Sequence, residues 1–219
     1  MSWKHWIAVL KDPVSLLSLK NSLYLGVGGA TLGMILSFFV AYVIVKVRTK
    51  ASGFLESLSF LSFSFPGIVV GIGFMWFFVQ TPLYATIWAL LIGYIATYLP
   101  YGIRPLTSAF VQIHSNLEES SRVCGGGPFY TMRRIVIPLL IPGIVSGWIL
   151  MATMFVRELS LSVVLSRPGT EVLAVQILRF AEDGLWGRLS ALGILMIFIS
   201  TTLVIIASRI GAKLTKVDP

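Results

Sequence analysis

Five stretches of about twenty residues, 22 to 45, 58 to 79, 84 to 103, 138 to 156 and 189 to 208, contain no Lys, Arg, Asp or Glu. A hydrocarbon core about 30 Å thick is crossed by a helix of roughly 20 apolar residues, and a charge at its centre costs about 2.5 to 3.5 kcal/mol. The five runs therefore predict about five transmembrane helices in an all-α, polytopic membrane protein, with residues 1 to 219 forming a single domain. With 56% of residues hydrophobic and 12% charged, little is left to surface a soluble domain. A membrane β-barrel would alternate apolar and polar residues along strands of about ten. These runs are apolar on every face. Gly29 and Gly33, Gly67 and Gly71, and Gly143 and Gly147 each form G-x-x-x-G, the spacing that lets helices approach closely in lipid. Pro66 before Gly67 and Pro142 before Gly143 are expected to kink spans two and four.

The first segment, M-S-W-K-H-W-I-A-V-L-K-D-P, lacks the ordered pattern of a signal peptide. It reads as an interfacial segment, with Trp3 and Trp6 at the headgroup level and Pro13 ending any helix. Orientation follows from Lys and Arg in alternate connections. One set holds Lys46, Arg48, Lys50, Arg104, Arg122, Arg133, Arg134, Arg209, Lys213 and Lys216; the other holds Lys4, Lys11, Lys20, Arg157, Arg167, Arg179 and Arg188. Ten against seven places the amino terminus outside and the carboxyl terminus in the cytoplasm. The net charge of +8 is then mainly an orientation signal, and nucleic acid is not an expected partner. His5 and His114 are isolated, Cys124 is the single cysteine and carboxylates do not cluster, so no metal site is expected.

The long connection at 104 to 137 breaks the apolar pattern with E-S-S-R-V-C-G from Glu119 to Gly125, followed after nine residues by I-V-I-P from Ile135 to Pro138. Ser115 and Glu118 fit an S-x-x-E capping box, predicting a helix from about Asn116 to Cys124. Gly125, Gly126 and Gly127 supply left-handed backbone to close it, and Pro128 suits the first turn of a second short helix. That helix would carry Arg133 and Arg134 toward the membrane. Such a pair is either an ordinary capped loop or a docking surface.

The order Glu119, Ser120, Ser121, Gly125, Ile135, Ile137, Pro138 resembles the Glu-Ala-Ala loop of permease subunits in type I binding-protein-dependent ABC importers. Glu119, Gly125, Ile135 and Pro138 keep the family's spacing; Ser120 and Ser121 replace its alanines and Ile137 its leucine. The resemblance implies a cytoplasmic coupling helix seated in a groove of a separate ABC ATPase dimer, with Glu118, Glu119, Ser120, Ser121, Arg122, Gly125, Arg133, Ile135 and Pro138 as coupling residues. The chain has no G-x-x-x-x-G-K-[ST] phosphate loop, and G-G-G-P-F at Gly125 to Phe129 is not one. ATP would thus be used by the partner, with no cofactor or catalytic residue in this chain. N-S-L at Asn21 to Leu23, R-E-L-S at Arg157 to Ser160, R-P-G-T at Arg167 to Thr170 and D-G-L-W-G at Asp183 to Gly187 look most like the ferric-iron permeases, with thiamine and polyamine permeases next. The resemblance further implies an inner-membrane location, a second permease half, an extracytoplasmic solute-binding protein, and a core like a detached carboxyl-terminal half of the longer iron permeases.

Arg157 and Glu158 follow the fourth span directly. They read either as a pathway or gate pair or as an interfacial salt bridge. Leu159 to Arg188 contains apolar pieces too short to span and predicts a short helix at the outer surface. The alternative class, a membrane-embedded enzyme or small channel, would need an intramembrane nucleophile, a His-Glu pair or a ring of charges; G-x-S-x-G and H-E-x-x-H are both absent.

Overall fold

The computed structural model describes residues 3–47 and 50–215. Arg48 and Lys216, and the side chain of Lys50, lie outside the described residues. Among the described residues there are ten helices besides a 3-10 turn at Leu61–Ser64: α1 (Trp3–Lys11), α2 (Pro13–Val47), α3 (Lys50–Phe60), α4 (Gly67–Phe78), α5 (Ile87–Gln112), α6 (Ser115–Val123), α7 (Pro128–Arg157), α8 (Ser160–Leu165), α9 (Leu173–Glu182) and α10 (Trp186–Thr215). No strand occurs among the described residues. The five uncharged runs lie largely in helical segments, but their boundaries shift in ways that matter for the site.

Pro13 opens α2 rather than ending a helix. The Asp12 carboxylate accepts from the Ser15 backbone N–H at 3.0 Å as the N-cap, and a proline at the first helical position loses a donor that would have been orphaned anyway. The first span thus starts nine residues before position 22, and it contains π-helical turns at Tyr24–Gly29 and Val43–Val47. Span two is interrupted rather than kinked. Its arms, Ser52–Ser64 and Gly67–Phe78, meet at 107°. Pro66 lacks an N–H and drives Phe65 into extended backbone at φ −112° and ψ 138°.

Helix α5 runs through Pro100 and Pro105 to Gln112, so Arg104 lies within a helix instead of opening a loop. Its guanidinium sits over the Phe60 and Phe63 rings at 5.0 and 5.9 Å from their centroids. Helix α7 continues unbroken through Pro138 and Pro142, and the expected second short helix is simply its first turns. The connection read as 104 to 137 therefore narrows to 113 to 127. By length and composition, α2, α7 and α10 are each able to cross a membrane, and the α3–α4 arms add a fourth span if taken together. The 26 residues of α5 extend about 39 Å.

The core forms where α5 packs against α2 and α7, with α10 on another side of α7. Each G-x-x-x-G pair lies at a close approach. A Cβ at Gly67 would meet Ser160 Cβ at 2.9 Å, and one at Gly71 would meet the Leu161 Cα at 3.4 Å, so this pair seats α8 against α4. Gly102 packs most tightly: a Cβ there would fall on Ser37 Oγ and within 2.9 Å of Met151 Sδ. Gly102→Val is expected to cost about 1–3 kcal/mol through overpacking, read as a lower unfolding midpoint in detergent. Gly193→Ala, where an added Cβ meets nothing within 4 Å, is expected to be neutral or stabilising by up to about 1 kcal/mol.

Candidate functional site

Only Ile113 and His114 separate α5 from α6, both in extended backbone, so the chain turns at the end of α5. His114 occupies the N-cap without a side-chain capping bond, and Ser115 is already helical. The expected capping box does not form. Glu118 instead reaches another span: its Oε1 lies 2.6 Å from Lys46 Nζ in the last turn of α2. At the other end, Gly125 has φ +83°, its N–H donates to the Arg122 carbonyl at 2.9 Å, and the Gly126 N–H donates to the Ser121 carbonyl at 2.8 Å. This pair of bonds is a Schellman closure, and only glycine adopts that left-handed position without strain.

Ser121 is buried, and its hydroxyl donates to Thr131 Oγ1 at 2.8 Å while Thr131 donates to the Gly127 carbonyl at 3.1 Å. A Cβ at Gly126 would stand 2.8 Å from the Ser121 carbonyl. Ser121 and Gly125 therefore hold the joint between α6 and α7 closed. Ile135 is half-buried in a π-helical turn of α7 and Pro138 follows it along the same shaft, about 10 and 15 Å past Pro128. They belong to the stem of the joint, not to its tip.

What the hairpin exposes is different. Glu119, Ser120, Arg122 and Val123 of α6 face outward together with Phe129, Tyr130, Arg133 and Arg134 at the start of α7. Val123 is 87% exposed and Phe129 78%. These two residues and Tyr130 were not singled out in the sequence, although large apolar side chains in the only long polar connection were a usable signal. The exposed set thus combines three large apolar side chains with one acid and three arginines.

Arg157 and Glu158 are turned apart. Glu158 is 4% exposed, and its carboxylate accepts from the Leu161 N–H at 3.1 Å, the Ser162 N–H at 3.2 Å and the Tyr98 hydroxyl at 3.1 Å. It is the anchor of α8, and a Tyr94–Ser162 hydroxyl pair extends the network into α5. Arg157 ends α7, exposed, beside a groove of about 540 Å³ between α7, α9 and α10. Among the described residues neither forms an ion pair, so the interfacial salt bridge is not made. The stretch after Glu158 holds two helices rather than one at the surface: α8 is buried against α4 and α5, and α9 packs on α2 and α10.

The remaining motifs are structural joints. Asn21 Nδ2 donates to the Glu171 carbonyl at 2.9 Å and Ser22 Oγ accepts from the Leu173 N–H at 2.8 Å, tying α2 to the loop before α9. Arg167 donates to the Tyr84 hydroxyl at 2.9 Å and to the Val164 and Ser166 carbonyls, which fixes α8 to the loop before α5.

The inner-membrane component of binding-protein-dependent transport systems matches as a family over residues 31–216. The spermidine/putrescine transport system permease protein PotC of Escherichia coli (strain K12) is 24% identical over 212 residues, covering 96% of this chain and 80% of PotC. The ferric transport system permease protein FbpB of Actinobacillus pleuropneumoniae is 29% identical over 192 residues, covering 85% of this chain but 27% of FbpB. A bacterial ABC transporter that imports the acidic polysaccharide alginate has the same fold, with a TM-score of 0.80 at 17% identity over 99% of this chain and 85% of that one. The chain therefore belongs to the binding-protein-dependent transport system inner membrane components, the permease subunits of ABC importers.

Proposed function

We propose that this subunit forms half of a translocation pathway and is driven by a separate cytoplasmic ABC ATPase dimer that grips the tip of the α6–α7 hairpin. The observation that carries this reading is the exposed cluster of Val123, Phe129 and Tyr130 among Glu119, Arg122, Arg133 and Arg134. An apolar centre with a charged rim is the anatomy of a protein interface. Its local joint, closed by Ser121, Thr131 and Gly125, is stiff enough to pass a push into α7. A second permease half, identical or not, completes the pathway, and a solute-binding protein delivers the cargo outside. The amino terminus is then outside and the carboxyl terminus cytoplasmic, as the Lys and Arg distribution suggests.

Ferric iron is the cargo we assign, supported by the motifs at Asn21, Arg157, Arg167 and Asp183 and by the 29% identity to the ferric permease. A polyamine is the second reading, favoured by the wider coverage of the spermidine/putrescine relative. Arg157 and Glu158 stand near the outer end of α7, and a gating role there would run through the Glu158 anchor of α8. In detergent, the wild-type subunit is expected to co-purify with its ATPase, and Val123→Asp to lose most of it, with about a tenfold weaker affinity for about 1.4 kcal/mol. Unchanged recovery of the ATPase with Val123→Asp would remove the hairpin tip from the interface. Uptake assays with ferric-loaded and spermidine-loaded binding proteins separate the two cargoes.

A further inference from the structure

Open grooves flank α6: one of about 470 Å³ is bounded by Pro105, Gln112, Leu117, Leu139 and Pro142, and another of about 350 Å³ reaches Lys46 and His114. Helix α6 makes its backbone contacts with the first turns of α7, to which it is joined in sequence. Its polar side-chain tie to a span distant in the chain is Lys46–Glu118, at 2.6 Å, with side chains 19% and 23% exposed. Partial burial shields the pair from solvent screening, and the two residues are 72 positions apart.

Lys46 lies in the π-helical turn Val43–Val47 at the end of α2. Such turns are rare inside α-helices and occur often at functional sites. The rest of α2 is held hard against its neighbours: a Cβ at Gly29 would meet Phe155 and Leu91 at 2.9 Å, and one at Gly33 would fall on Met151. A pull on Lys46 therefore acts through a π-helical end turn attached to a tightly packed shaft.

We propose that Lys46 is a positioning residue for coupling: through Glu118 it latches the first span to the coupling hairpin, so that hairpin displacement moves α2 as well as α5 and α7. This rests on the reading of the hairpin as the ATPase contact, and it assigns Glu118 to the inner side of α6, away from the docking tip. Displacement would otherwise reach the core through the joint with α7, where Ser121 bonds Thr131, and through the two covalent connections of α6.

The test uses the assembled importer in proteoliposomes, comparing Lys46→Met, Lys46→Glu, Lys46→Arg and the exchange Lys46→Glu with Glu118→Lys. Three quantities are read: ATPase recovered with the permease, basal ATP hydrolysis, and cargo imported per ATP. Lys46→Met and Lys46→Glu are expected to retain the ATPase and its basal rate while losing about fivefold or more of cargo per ATP, the lower end of ordinary coupling between sites. Lys46→Arg and the charge exchange are expected to restore most of that loss, which a purely structural role for the lysine stem would not do. Wild-type cargo per ATP in Lys46→Met overturns the latch, as does an exchange no better than Lys46→Glu alone. Failure of the wild-type subunit to hold any ATPase overturns the underlying reading, and the latch with it.

Discussion

Glu158→Ala is expected to destabilise the subunit by about 3 kcal/mol, combining a lost helix cap with buried donors left unpaired. The carboxylate, 4% exposed, satisfies the Leu161 and Ser162 N–H groups at the start of α8 and accepts from Tyr98 on α5. Helix α8 has only six residues, too few to persist without its anchor and its seat on α4. Removing the carboxylate should therefore free α8 and with it the Arg167–Tyr84 tie that follows. Glu158→Gln keeps the shape and one acceptor oxygen, and its expected cost is nearer 1 kcal/mol. Thermal unfolding of the purified complex separates the two. Equal midpoints for Glu158→Ala and wild type would rule out the anchoring role. Uptake measured on Glu158→Gln at matched expression then isolates gating: wild-type transport in that variant would leave Glu158 a structural residue alone.

The second large effect is expected at Glu119. It is exposed on α6 beside Arg122, one residue from the Glu118 that turns inward to Lys46. Two adjacent glutamates, about 100° apart around one short helix, thus differ in exposure. Truncating a charge that is paired and desolvated in an interface costs about 2–5 kcal/mol, and reversal adds like-charge repulsion. Glu119→Arg is therefore expected to weaken ATPase binding by at least about tenfold and to uncouple hydrolysis from uptake. The spans should insert normally, because Glu119 touches none of them. Titration of the ATPase onto immobilised permease measures the first effect and cargo imported per ATP the second. Full coupling in Glu119→Arg would count decisively against docking through this face.

The helical class was legible because a charge in hydrocarbon is so costly that its absence over twenty residues leaves few alternatives to an apolar helix. The Gly125 closure was legible for a local reason: a helix end needs a left-handed residue, and three glycines stood where one was required. The capping box failed because S-x-x-E is satisfied by two competing partners. A lysine 72 positions upstream offered Glu118 an opposite charge, which no local pattern encodes. Boundaries failed similarly. Pro13 and Pro138 were read as edges, whereas one begins a helix and the other rides inside one. Glu158 looked like half of an ion pair with Arg157, but consecutive residues at a helix end point apart, and the buried side was set by Tyr98 and α8 from elsewhere in the chain.

The right-angled corner at Pro66 bears on the life of the subunit before assembly. Between the turn at Leu61–Ser64 and the start of α4, helical bonding stops, and each backbone group left facing hydrocarbon costs several kcal/mol. Phe63 and Phe65 around it are also open, at 45% and 52% exposure. Such a corner is tolerated when another protein or a water-filled passage covers it, and a lone copy in the bilayer has neither. An unassembled subunit would thus carry a defect that membrane quality-control proteases can recognise. Its steady-state abundance should follow that of its scarcest partner rather than its own rate of synthesis, and a pulse-chase comparison with and without the partner subunits would show it.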